Sequence, residues 1–116
     1  MTLRDFSIDG LPEQLAAGQH TLRIDNAGPQ AHELLAARLA PGATADDLVT
    51  FMTTSPAPGQ QPYQSIGGLQ SLDAGLGAWS TLTLTAGQYV FLCNLPDPAT
   101  GLRQFQEGML QSVTVS

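Results

Sequence analysis

Lysine is absent from this chain, which removes Schiff-base chemistry and any phosphate-binding P-loop, since each requires that amine. Four arginines face ten acidic residues. The resulting net charge of −6 argues against nucleic acid and anionic lipid, both of which reward clustered positive charge. A single cysteine rules out an internal disulfide, and it says nothing directly about the redox compartment. No run of 18 or more apolar residues occurs, and no basic-then-apolar stretch opens the sequence. Neither membrane insertion nor a signal peptide is therefore expected in these residues. With only two histidines, any imidazole chemistry must draw on His20 or His32.

What remains is a chain with 12 glycines, 8 prolines and only 12% charged residues, a composition that suits many short strands better than helices. Its 116 residues make one domain, 1–116, long enough to bury a modest core without disulfides. Phe6 and Ile8 alternate with Ser7 and Asp9, and a Gly10-Leu11-Pro12 turn ends this first strand. Residues 14–17 predict one helical turn or a loop. From 19 to 25 the period is two: His20, Leu22 and Ile24 share one face, while Thr21, Arg23 and Asp25 share the other. Asn26-Ala-Gly-Pro29 breaks that strand. Residues 32–39 read as the next one, although their alanines and leucines also suit a helix.

Thr44-Ala-Asp-Asp47 has the form of a capping box, and Leu48, Phe51 and Met52 follow at helical spacing, so a short helix is predicted over about residues 45–53. The prolines of residues 55–62 predict an extended connection, and the stretch to Ala78, with Gly67-Gly68 and Gly75-Leu-Gly77, reads as loop-rich. Gly75-Leu-Gly77 is no nucleotide signature, because no strand clearly precedes it and no third glycine follows at the required spacing. Residues 79–85 alternate again, with Leu82 and Leu84 inward. Ala86-Gly87 then predicts a tight hairpin into residues 89–93. A loop over 94–107 leads to a last strand at 110–115. About seven strands separated by turn signals predict a β-sandwich.

The chemistry concentrates in Tyr89-Val-Phe-Leu-Cys93 and the loop that follows it. Alternation puts Tyr89, Phe91 and Cys93 on one face and Val90 and Leu92 on the other. Both faces are apolar, as in a strand covered on two sides. The thiol sits where this strand meets a loop, and Met109 returns sixteen residues later. Upstream, Asn26-Ala-Gly-Pro-Gln-Ala-His32 bends into another apolar run.

Together these segments resemble the cupredoxins, small β-sandwiches that hold a type 1 (blue) copper ion. The resemblance implies an all-β, cupredoxin-like Greek-key sandwich of about seven strands with one short helix. It also places His32, Cys93 and Met109 on the family's first-histidine, cysteine and methionine positions. Relatives with a long ligand loop carry the second histidine in a Gly-x-x-His-Phe-x-x-Gly-Met pattern. Here that pattern reads Gly101-Leu-Arg-Gln104-Phe105-Gln-Glu-Gly108-Met109, so Gln104 stands in the histidine's place.

Blue copper requires two imidazoles and a thiolate in one plane, with a weak axial ligand. His20 cannot complete the set, because it begins a strand whose far end, roughly 20 Å away, leads to His32. One imidazole and two sulfurs remain, a soft set that favours Cu(I). The resemblance thus implies a cupredoxin-fold domain with an incomplete copper site, metal-free or weakly binding Cu(I), that acts as a scaffold or protein-binding module. Its alternative is a copper electron-transfer protein that uses His32, Cys93 and Met109 with Gln104 or an external fourth ligand. By the same resemblance the setting is extracytoplasmic, and the partner is a redox or copper-delivery protein. Catalysis is not expected. No acid lies at a recognisable spacing to orient a His32–Cys93 pair, Glu33 alternates to the other face, and Asp46-Asp47 is explained by capping.

Overall fold

A computed structural model of the chain describes residues 1–54 and 61–116. Among them the elements run, in order, β1 (Thr2–Arg4), β2 (Ser7–Asp9), β3 (Gln14–Leu15), β4 (Gly18–Gly28), β5 (His32–Leu39), α1 (Ala45–Thr53), β6 (Tyr63–Leu72), β7 (Gly77–Leu84), β8 (Gly87–Leu92) and β9 (Leu110–Val115). A 3-10 turn at Gln104–Glu107 interrupts the long loop before β9. The strands form two sheets, a four-stranded one in the order β2-β1-β4-β7 and a five-stranded one in the order β3-β9-β8-β5-β6.

β8 lies in the middle of the second sheet, antiparallel to both β5 and β9. Its two faces serve two different cores. Tyr89, Phe91 and Cys93 join Leu3, Ile24, Leu34, Leu82, Leu84, Met109 and Val113 in the cluster between the sheets. Val90 and Leu92 join Ala37, Leu39, Leu48 and Phe105 in a second cluster beneath α1. The doubly apolar alternation of residues 89–93 follows from this double coverage. Helix α1 begins where its cap predicts. Thr44 Oγ1 accepts from the Asp47 amide at 3.2 Å, and Asp47 Oδ2 accepts from the Thr44 amide at 2.8 Å. Of its apolar stripe only Leu48 is fully buried, while Phe51 packs edge-on against Tyr63 with ring centroids 5.9 Å apart.

Four expectations are corrected. Residues 63–72 form a ten-residue strand and not a loop. The register of β6 with β5 shifts around Gly67-Gly68, and a Cβ on Gly68 would overlap the Leu34 carbonyl, so a glycine that reads as a breaker instead lets two backbones meet. Residues 14–15 form a short strand parallel to β9, and Thr2–Arg4 adds a strand ahead of the one expected at residues 6–9. The hairpin expected across Ala86-Gly87 does not exist, since β7 pairs with β4 while β8 pairs with β5 and β9. The chain crosses between sheets at that point. Tyr89 ties the crossing down, its hydroxyl donating to the Thr85 carbonyl at 2.8 Å and accepting from the Thr85 amide at 3.0 Å. The extended connection expected after α1 lies mostly outside the described residues.

Candidate functional site

Three segments meet at one end of the sandwich: the β1–β2 turn, the bend between β4 and β5, and the loop from β8 to β9. Asn26, buried at the end of β4, organises the bend. Its amide donates to the carbonyls of Gln30 at 2.9 Å and Leu72 at 2.7 Å, and its Oδ1 accepts from the Gly28 amide at 2.7 Å. That fold-back delivers His32 into the interior with no solvent exposure. The β8–β9 loop is stitched to its own ends. Cys93 exchanges backbone bonds with Met109 and Phe105, and the Gln104 amide bonds the Leu95 carbonyl at 2.9 Å. Gly108, at φ +126°, lets the loop pass Phe6, whose carbonyl oxygen would lie 2.7 Å from an added Cβ.

His32, Cys93, Gln104 and Met109 are all brought into this region, each almost or wholly buried. The central contact is an amide. Gln104 Oε1 lies 2.6 Å from His32 Nδ1 and 3.5 Å from Cys93 Sγ, so one carbonyl oxygen touches both the imidazole and the thiol. Because that oxygen can only accept, His32 Nδ1 donates to it. The rest of the amide is used as well, with Gln104 Nε2 donating to Gln30 Oε1 at 3.2 Å and to the Ala31 carbonyl at 3.3 Å. Met109 packs into the same core cluster as Cys93.

The thiol is held in an apolar setting. Burial pushes the Cys93 pKa up, an effect that the nearby Glu33 charge reinforces and that backbone N–H groups of Glu33 and Leu95 oppose. A raised thiol stays protonated at neutral pH, which makes it a weak nucleophile and a weak ligand.

Several residues of the site were not visible in the sequence. Asp5, from the β1–β2 turn, brings Oδ1 within 2.8 Å of His32 Nε2. It lies off the direction in which a ring N–H would point, so no well-aligned hydrogen bond forms there. Asp5 is the acid beside His32 that spacing could not supply. The arrangement still lacks a reactive thiol, because Cys93 is sealed from solvent and its pKa is raised. Gln30 and Asp97 stand behind Gln104, with Gln30 Nε2 donating to Asp97 Oδ1 at 3.1 Å. Asp97 Oδ1 also accepts from the Ala99 amide at 2.9 Å, and this bond, with that from Gln30, helps hold the carboxyl below its usual range despite burial. The Asp97-x-Ala99 turn was the one local signal available for it. His20 is half-buried at the other end of β4, its Nε2 2.6 Å from the Ala16 carbonyl, and takes no part.

This two-sheet architecture is the cupredoxin fold. Two solved structures align over nearly the whole chain. One is dithionite-reduced auracyanin from Roseiflexus castenholzii, with 21% identity, a TM-score of 0.61, and coverage of 99% of this chain and 96% of that one. The other is auracyanin A, a "blue" copper protein from Chloroflexus aurantiacus, with 17% identity, a TM-score of 0.59, and coverage of 100% and 98%. No protein-family model matches the chain, and no curated protein does.

The donor set does not fit a blue copper centre. Such a site requires two imidazoles and a thiolate. Here a single imidazole is present, the thiol is pushed toward its protonated form, and a carbonyl oxygen lies between the two groups that would have to share the ion. Among the described residues, no group of three or more His, Cys, Asp and Glu side chains is placed to hold a metal ion. No helix among them is long and apolar enough to cross a membrane.

Proposed function

We propose that this chain is a cupredoxin-fold module whose pocket is filled by its own Gln104 side chain, metal-free or binding Cu(I) only weakly, and that it serves as a non-enzymatic scaffold or protein-binding domain. The observation that carries this reading is the Gln104 carbonyl oxygen in simultaneous contact with His32 Nδ1 and Cys93 Sγ. An ion entering between those atoms must displace that oxygen and break a buried hydrogen bond. It must also deprotonate a thiol whose burial opposes ionisation. The extracytoplasmic setting suggested by family resemblance belongs to the same proposal, as does a redox or copper-handling protein as partner.

Metal analysis of the purified protein, with titration by Cu(I) and Cu(II), tests the reading. The expected result is less than stoichiometric copper and no intense visible band. Tight stoichiometric copper that disappears on Cys93→Ala would overturn it.

A second reading is favoured by Asp5. Carboxylates commonly accompany the outer nitrogen of a ligating histidine in metal sites, and Asp5 Oδ1 stands 2.8 Å from His32 Nε2 without an aligned hydrogen bond. In this reading His32, Cys93 and Met109 carry copper for electron transfer, with Gln104 or an external group as fourth ligand. Retained Cu(II) with a blue thiolate band in the unmodified protein would select it.

A further inference from the structure

The pocket's hydrogen bonds have a direction, and it is set by a residue outside the pocket. Asp97 presents a carboxylate oxygen, which accepts and cannot donate, to the side-chain amide of Gln30. Gln30 must therefore turn its Nε2 toward Asp97 and its Oε1 inward. Gln104 meets that inward oxygen, and the Ala31 carbonyl beside it, with its own Nε2. Its Oε1 is then left facing His32 and Cys93. Reversing the Gln104 amide would set its oxygen against two acceptors. It would also set its NH2 against a nitrogen that would then have to be unprotonated. Each orientation follows from the one before it.

We propose that Asp97, acting through Gln30 and Gln104, keeps a proton on His32 Nδ1, the nitrogen on the Cys93 side of the ring. This rests on the reading of the pocket as filled by Gln104 and gives that reading a cause. A metal at Nδ1 needs the lone pair that the proton occupies, so metal binding there must release the proton. Asp97 and Gln30 are positioning residues in this scheme, since neither touches Cys93. The backbone of Gln30 has separate duties, its N–H donating to Asp5 Oδ1 at 3.3 Å and its carbonyl accepting from Asn26, so replacing the side chain leaves the bend tied.

Nitrogen-15 NMR of histidine-labelled protein reads the ring directly. At neutral pH the unmodified chain is expected to show His32 Nδ1 as a protonated nitrogen whose proton exchanges slowly, because the ring has no solvent exposure. A bare, lone-pair nitrogen at that position in folded protein would overturn the proposal. In Gln30→Met, which keeps the side-chain length, Gln104 loses one of its two orienting acceptors. The Nδ1–H signal is then expected to weaken or split as a reversed amide becomes populated. An unchanged signal in this variant would remove Gln30 and Asp97 from the mechanism and leave the Ala31 carbonyl as the orienting group. Tight copper binding by a chain whose apo form carries the Nδ1 proton would overturn the metal-free reading and leave the relay standing. A bare Nδ1 together with no copper binding would do the reverse.

Discussion

Glu33 holds Cys93 from the neighbouring strand: its backbone N–H points at Sγ from 3.4 Å, while its carboxylate accepts from the amide of the next residue, Asn94, at 3.1 Å. The thiol is thereby fixed inside the site and sealed from solvent. Cys93 is accordingly expected to resist thiol reagents in native protein at pH 8 and to react fully after unfolding. Rapid stoichiometric labelling of folded chain would contradict the enclosure.

The raised thiol also makes a pH prediction. A thiol that ionises less readily when folded than when unfolded contributes stability that is complete below the unfolded value of about 8.5. That contribution is lost as pH rises toward the higher folded value. Chemical denaturation from pH 7 to 10 should show the wild type losing more stability than Cys93→Ala. Parallel curves would mean that the thiol ionises alike in both states.

Asp97 works with the opposite sign. Its carboxyl is held below the usual range, with the Ala99 N–H as the leading cause. It therefore contributes stability that is present above the unfolded value of about 3.9 and lost as pH falls below it. Asp97→Asn should be less stable at pH 7 and should show a shallower acid limb below about pH 4 than wild type. An acid limb of unchanged steepness would place the effect elsewhere.

Replacing the amide with an imidazole should rebuild the copper plane. Gln104→His is expected to bind Cu(II) and show an intense blue thiolate-to-copper band, because it supplies the second equatorial nitrogen beside His32 and Cys93. A folded variant that remains colourless with copper would mean that position 104 does not correspond to the family's histidine.

Two backbone devices can be tested by stability alone. Gly108→Ala places a Cβ 2.7 Å from the Phe6 carbonyl at φ +126°, and a loss of about 1–3 kcal/mol is expected from thermal or denaturant unfolding. Thr44→Ala removes the helix cap and should cost about 1 kcal/mol. If Gly108→Ala proved neutral, the loop would have to reach Met109 by a different path.

Features that depend on near neighbours are legible in the sequence alone. The Thr44–Asp47 box and the helix after it are decided within one turn of chain, and the helix appears at Ala45–Thr53. The period-two pattern of residues 89–93 required two separate covering layers, and β8 has them. Resemblance led to the expectation that His32, Cys93 and Met109 lie together, and the fold buries all three at one end of the sandwich.

Tertiary structure alone decided which sheet each strand joins. Alternation reports which faces are apolar and carries no record of the partner, so β7 and β8 looked like a hairpin while pairing in different sheets. It also decided that Gly67-Gly68 lies inside a strand, because a glycine's lack of a side chain is useful only where another backbone approaches. Asp5, Gln30 and Asp97 entered the site in the same way, from three separated segments, with Asp5 beside His32, Gln30 bonded to Gln104, and Asp97 bonded to Gln30. Local sequence specified that a glutamine stood where a histidine was expected. Only the fold turned its carbonyl oxygen toward both His32 and Cys93, because hydrogen-bond direction in a buried pocket is set by the acceptors that surround it.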